Sequence, residues 1–447
     1  MSIDRLSALP DSLLIRILSF LDMKESGMTC VLSKRWQFLW TGLPRLKFYE
    51  GSSQTDKIRK MVAWVHRTLV ICSGHNLEMI KIDFVYDKCF ASDVNVWVDF
   101  TLKNKVKDVA SLLNSRKDLY PLPQMMYSNS SLTRLSVEGC IISPKRTVEW
   151  GSLTTLYLDK VVLNEHVVEK ILSGCPVLYY LEFNACTGLS SLKIDCQSLH
   201  ELKIGYWKDE NCETSLEISA PYIHTLQISL HPRGRRLRLT NVSSLVRANI
   251  DCEVDFDPGS VKLISCTKEP FNDLQHVKEL EVGYGCLEVL SMLVVKGWRL
   301  PYSRRRRLTV HASNDEHSIP GILCLLEYSP YLETMVILLY GFREYYEDCV
   351  DISPAASYLK KVDLQRDLLH LKTVNITSSQ DSDLPSELLL TLLQLVLKRA
   401  RVLEKMVIDT GKFATSSSAN VASNYIRIAR MLLSYPRSSP KAVVLFH

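Results

Sequence analysis

The residue types that perform chemistry are all present in this chain, but not in arrangements that perform it. Eleven histidines are scattered, and no two stand at the i, i+4 spacing that puts a pair of imidazoles on one helix face to hold a metal. Isolated ones such as His166 and His224 read as surface or satisfied core residues. There is no Gly-x-x-x-x-Gly-Lys to cradle phosphate, no Gly-x-Ser-x-Gly to present a nucleophile and no His-Glu-x-x-His. Thirteen cysteines have no pair closer than the ten residues between Cys186 and Cys196, which fits neither a zinc module nor a compact disulfide framework. They read as buried free thiols. No catalytic residue, no metal ligand and no cofactor is assigned. What remains is recognition.

Two arginine clusters, Arg233-Gly-Arg-Arg-Leu-Arg238 and Arg304 to Arg307, have the composition of a nuclear-import signal or a phosphate contact. The blander reading, a solvated turn between structural units, is preferred, because a net charge of +5 over 447 residues names no polyanionic partner. A protein associated with nucleic acid is therefore not expected.

The apolar residues near the start are more informative. Pro10 suits a first helical position and Asp11 the positive first turn, so a helix is expected from there to about Leu21. Leu13, Leu14, Ile17, Leu18 and Leu21 form one broad apolar stripe on it. A weaker helix around Lys24 to Val31 is interrupted by Gly27. Ser33 offers an N-cap for a third, carrying Trp36, Leu39, Trp40 and Leu43 at i, i+3, i+4 and i+7. A module of ~40 residues is near the lower limit for folding alone. Two tryptophans and a leucine-rich helix exceed what so small a bundle needs, which suits either an interlocked-helix interface or an N-terminal cap packed on the rest of the chain.

Asp4 to Leu21 followed by Val31-Leu-Ser-Lys-Arg-Trp-Gln-Phe-Leu-Trp40 resembles a plant F-box: Leu-Pro opens the first helix, Ile-Leu-Ser-Phe-Leu ends it, and Val-Leu-Ser-Lys-Arg-Trp follows at the family's spacing. The resemblance covers residues 1–48 and implies binding to a Skp-type adaptor, and through it to a cullin/RING ubiquitin ligase. Carried over by position, Leu9, Pro10, Leu13, Ile17, Leu18, Val31, Ser33 and Trp36 would form or support that contact. Asp22 stands where a proline is common, and Ser26-Gly27 replace a usual aliphatic pair.

Beyond the module an L-x-x-L-x-L pattern recurs. Clear copies are Leu132/Leu135/Val137, Leu153/Leu156/Leu158, Leu178/Leu181/Phe183, Leu199/Leu202/Ile204 and Ile223/Leu226/Ile228, their central residues 21, 25, 21 and 24 apart. An extra copy lies at Leu189/Leu192/Ile194, and looser ones extend from Leu77 to Ile337. This is the period of leucine-rich repeats, one short parallel strand and a return per unit. The expected fold is α/β: a three-helix F-box, a curved repeat solenoid over 75–365 and a terminal cap. Strand side chains alternate, so Arg134, Ser136, Thr155, Tyr157, Tyr180, Glu182, Glu201, Lys203, Thr225 and Gln227 should line the concave face and meet a protein target.

Residues 366–447 change texture: a leucine-rich helix opened by Pro385, a strand near Leu403 to Ile408, a Ser-rich loop at Thr415 to Ser418, a helix stopped by Pro436 and a last strand at Val443 to Phe446. They resemble the FBD domain found at the C-terminus of many plant F-box proteins, through Leu371 to Ile376, Ala400 to Ile408 and Tyr435 to Pro440. The densest apolar run, Leu388 to Leu397, is far below the ~20 residues of a membrane span, and the start does not read as a secretory signal. A soluble protein of the nucleus or cytoplasm is expected. The resemblance implies the substrate-recognition subunit of a cullin-based ligase, with no reaction of its own. A repeat scaffold unconnected with ubiquitination is the alternative.

Overall fold

The computed structural model describes residues 6, 8–72, 77–115, 118–206, 215–230, 236–252, 261–313, 318–340, 366–378, 387–409 and 419–446. Asp4, Arg5, Arg233 to Arg235, Pro385 and Thr415 to Ser418 lie outside them. The chain divides into two compact units, one of residues 1–189 and 193–200, the other of 190–192 and 201–447.

The first unit opens with helix α1 (Asp11–Leu18), whose N-cap Pro10 has extended backbone. It stops three residues short of the expected Leu21, because the amides of Phe20 and Leu21 turn to the carbonyls three residues back. Helix α2 (Met23–Met28) starts at once. Asp22 caps it through a reciprocal box: the Glu25 N–H donates to Asp22 Oδ1 at 2.6 Å, and the Asp22 N–H donates to Glu25 Oε2 at 3.2 Å. The expected third α-helix does not form. Turns lead from Ser33 to a single 3₁₀ turn at Leu39–Gly42. Trp36, Phe38 and Trp40 are poor helix formers, and Gly42 and Pro44 close the run. Trp36, Leu39 and Leu43 are nevertheless buried, so the module keeps its core without the helix.

Among the described residues of this unit, six strands of the main sheet pair in parallel in chain order: β1 (Arg45–Glu50), β2 (Met79–Phe84), β3 (Asp108–Leu113), Arg134–Glu138, Thr155–Asp159 and Tyr180–Asn184. Their buried positions run level: Leu46, Ile80, Val109, Leu135, Leu156 and Leu181 are register partners in sequence. One residue in two faces inward, which is the alternation that leucine spacing encodes. The sheet begins at Arg45, earlier than the expected 75. Leu43/Leu46/Phe48 is a further copy of the repeat pattern, hidden by its overlap with the tryptophan run.

In the second unit the strands Glu201–Gly205, Thr225–Leu230, Arg247–Cys252, Glu279–Val282, Arg307–Ser313, Thr334–Tyr340, Thr373–Ser378, Lys405–Asp409 and Val443–Phe446 pair in parallel, each with the next. The ladder Ile204, Ile228, Ile250, Val282, Val310, Ile337, Ile376, Ile408, Phe446 holds register throughout, so the strands Thr373–Ser378, Lys405–Asp409 and Val443–Phe446 continue the same sheet. The extra copy at Leu189/Leu192/Ile194 gives the strand Ser191–Lys193, which belongs to a separate small sheet with Leu216–Ser219 and Leu237–Thr240. Returns between main-sheet strands are helices such as α3 (Thr55–Ile71) and α4 (Ala91–Lys103) in the first unit, and Tyr284–Val295 and Ile319–Glu327 in the second.

Strand exits turn through a left-handed residue: Gly139 (φ 66°), Lys160 (50°), Ala185 (48°) and Tyr206 (49°) each follow a strand directly. At 139 a Cβ would lie 2.1 Å from the Leu113 carbonyl oxygen, so only glycine fits there. The Arg304 to Arg307 cluster is not a uniformly solvated turn. Arg306 pairs with Glu333 at 3.5 Å and Arg307 opens a strand, whereas Arg305 is 0% exposed and burial pushes its guanidinium down to about 10.

Candidate partner-docking surface

The α1 stripe is divided by the fold into an inner and an outer edge. Leu14 and Leu18 are completely buried, while Leu13, Ile17 and Leu21 are exposed. Val31 is 83% exposed. Pro10 and Ser33 are exposed and Leu9 is half-buried. Leu18 and Trp36, by contrast, lie in the core, so they can hold the surface in place but cannot touch a partner directly.

Phe20, Met28, Leu32 and Phe38 of the same module are exposed as well, and none of them falls on the periodic stripes. The available signal was negative: each falls off the buried stripe of its element yet is large and apolar. Isolated exposed apolar residues need no explanation, but this many within one small module are more than scattered exposure supplies. The segments bearing them are tied together by Arg35, which donates from Nε to Asp11 Oδ1 at 2.9 Å and from Nη2 to the Leu9 carbonyl at 2.5 Å. That fork spans the Leu9-Pro10 entry to α1 and the Val31-to-Trp36 segment. It fixes their relative position, with Asp11 held at the helix start where its charge suits the dipole.

On the first unit's sheet, Arg134 is exposed and Ser136, Thr155, Tyr157, Tyr180 and Glu182 are half-buried on one face. Register brings them into two rows, Arg134 beside Thr155 beside Tyr180, and Ser136 beside Tyr157 beside Glu182. Tyr157 and Tyr180 pack with ring centroids 5.2 Å apart, and the Tyr180 hydroxyl donates to Glu182 at 2.6 Å. At the strand ends, Lys160 donates to Glu138 at 2.6 Å, which raises the lysine, while burial raises the Asp159 and Asp83 carboxyls above the ordinary carboxylate range. In the second unit Glu201 pairs with Thr225 and Lys203 with Gln227, all half-buried. Aromatic groups interleaved with both charges give a face chemically suited to a protein surface.

Among the described residues no group of three or more His, Cys, Asp or Glu is placed to hold a metal ion, and no helix is long and apolar enough to cross a membrane. Burial pushes the thiols of Cys140, Cys175 and Cys186 up to about 12.

A helical N-terminal module with an outward apolar face, followed by parallel repeat strands, defines an F-box protein with leucine-rich repeats. An F-box domain family model matches residues 6–48, and the model described as At1g61320/AtMIF1, LRR domain matches residues 69–444. The chain belongs to this family of F-box/LRR-repeat proteins. It is similar to the F-box/LRR-repeat protein At5g02910 of Arabidopsis thaliana, 28% identical over 91% of this chain and 88% of that protein. It is also similar to the F-box/LRR-repeat protein At3g03360 of the same plant, 26% identical over 99% of this chain and 90% of that one. A shorter similarity, 29% identity over 55% of this chain and 61% of the relative, is to the "Probable FBD-associated F-box protein At1g32375".

Proposed function

We propose that this chain is the substrate-recognition subunit of a cullin-based ubiquitin ligase. Its F-box, residues 1–48, docks a Skp-type adaptor through Leu9, Pro10, Leu13, Ile17, Val31 and Ser33, with Leu18 and Trp36 supporting them from the core. The observation that carries this is the outward placement of Leu13, Ile17 and Val31 while Leu14 and Leu18 face in. One stripe thereby serves two contacts. The repeats over 75–365 present the Tyr157/Tyr180 face and its neighbours to a protein target, and the FBD-like residues 366–447 terminate the array. The chain does no covalent chemistry; it raises the concentration of the target near a ubiquitin donor held by other subunits. Its place of action is the nucleus or cytoplasm.

Co-expression of the full chain with a Skp-type adaptor and a cullin tests the reading. Recovery of all three on an affinity tag borne by this chain is the expected result. Recovery of the chain alone, correctly folded, overturns it.

A further inference from the structure

Between the F-box and the first repeat helix lies an apolar cavity of about 470 Å³. One wall is the 23/24/27/28 stripe of α2, and the other is the 64/67/68/71 stripe of α3, with Trp40 beside them. Trp64 is steadied from behind by an edge contact with Phe48, their centroids 4.9 Å apart.

Three features set this cavity apart from a packing defect. The first is Gly27, on the cavity wall: a Cβ built there meets nothing within 4 Å, so a side chain at this position would project into open space. The second is Thr68, which lines the cavity, is 1% exposed, and whose Oγ1 has no hydrogen-bond partner among the described residues. A helical threonine ordinarily bonds back along its own helix, as Thr101 does to the Val98 carbonyl at 2.7 Å. An orphaned buried hydroxyl carries a desolvation cost that a ligand atom would remove. The third is charge. Lys24 and Arg67 both line the cavity, neither makes an ion pair among the described residues, and no carboxylate joins them.

We infer that this cavity is a binding site for a small amphipathic organic anion. An aromatic or branched aliphatic body would lie between Trp40 and Trp64 over Gly27, and a carboxylate or sulfonate would meet Arg67 and Lys24, with Thr68 Oγ1 as a further polar contact. Volume and chemistry both fit, since small-ligand sites fall at about 300–1,000 Å³ with apolar walls and a few fixed polar groups. The site is independent of the ligase reading. It borders the adaptor surface through Val31, so a bound ligand would sit at the edge of that interface.

The test uses the full-length chain and two fluorescent probes with the same apolar body, anilinonaphthalene sulfonate and neutral N-phenylnaphthylamine. Energy transfer from tryptophan reports binding. The sulfonate should bind about tenfold tighter than the amine, the ratio of one charge-assisted contact. Arg67→Gln should erase that preference, Thr68→Val should weaken binding, and Gly27→Leu should fill the cavity and abolish it. Leu13→Glu, which disables the adaptor face, should leave the probe bound. Equal affinity for the two probes, or sulfonate binding that survives Gly27→Leu, would overturn the inference. If Gly27→Leu instead cost the chain its Skp-type adaptor while its melting temperature held, the cavity would belong to the protein interface, and the inference would again fail. Arg67→Gln, at an exposed side chain, keeps the test decisive should Gly27→Leu not fold.

Discussion

The Ser26 hydroxyl donates a hydrogen bond to the main-chain carbonyl of Leu18 at 3.0 Å, with both residues fully buried. That carbonyl also accepts from the Leu21 N–H at 3.0 Å. A serine where the F-box resemblance implies an aliphatic residue thus ties α2 to the end of α1. Ser26→Ala should cost about 1 kcal/mol, one net hydrogen bond. Ser26→Leu, which installs the aliphatic side chain that the resemblance implies, should cost more, about 1–3 kcal/mol from overpacking alone. Denaturant titration followed by tryptophan fluorescence reads both, and a leucine variant as stable as the native chain would contradict this role.

Arg305 is a second place where a polar group sits inside. Its Nε and Nη2 have no partner among the described residues, and Nη1 reaches Ser329 Oγ only at 3.5 Å. Replacing an unpaired buried charge by an apolar side chain of similar length removes a desolvation cost. Arg305→Met should therefore stabilise the chain by roughly 1–3 kcal/mol. A lower melting temperature for that variant would show that the guanidinium is compensated after all.

The pH dependence has a defined contributor at Glu281, which receives a hydrogen bond from His311 at 2.7 Å. That bond holds its carboxyl below the ordinary glutamate value, ahead of the opposing effect of burial. A depressed carboxylate contributes stability above the unfolded value of about 4.3 and loses it as pH falls through the folded value. The stability gap between native chain and Glu281→Gln should thus be full near neutrality and close on acidification below that point. A gap independent of pH would exclude the pairing.

Thiol reactivity should follow burial. Cys30 and Cys89 are exposed, whereas Cys140, Cys175 and Cys186 are enclosed with thiols raised to about 12. Brief alkylation of the native chain followed by peptide mapping should mark Cys30 and Cys89 and leave those three unmodified until denaturant is added. Early labelling of Cys186 would place it outside the core.

The repeat array was legible because a strand writes its burial into every second residue, and leucine, isoleucine and valine answered at Leu135, Leu156, Leu181 and beyond. The same signal misleads about the third F-box helix: Trp36, Leu39 and Leu43 keep a helical spacing and are buried, but through turns and a single 3₁₀ turn. Periodicity identifies which residues go inside, not which backbone takes them there. Leu43 and Leu46 served two patterns at once, so the first strand was concealed. Asp22 and Ser26 could be seen only as departures, since their compensations, a capping box and a bond to Leu18, depend on where the chain turns between α1 and α2. Arg305 gave no sign, because a run of four arginines reads as solvated whichever of them turns inward.

The central claim is that the outward edge of α1 docks a Skp-type adaptor. Titration of purified full-length chain with the adaptor, measured by calorimetry for the native protein and for Leu13→Glu/Ile17→Glu, tests it most directly. Tight one-to-one binding by the native chain and its loss in the variant, with unchanged repeat folding by circular dichroism, is the predicted result. Equal binding by both proteins, or none by the native chain, would contradict it.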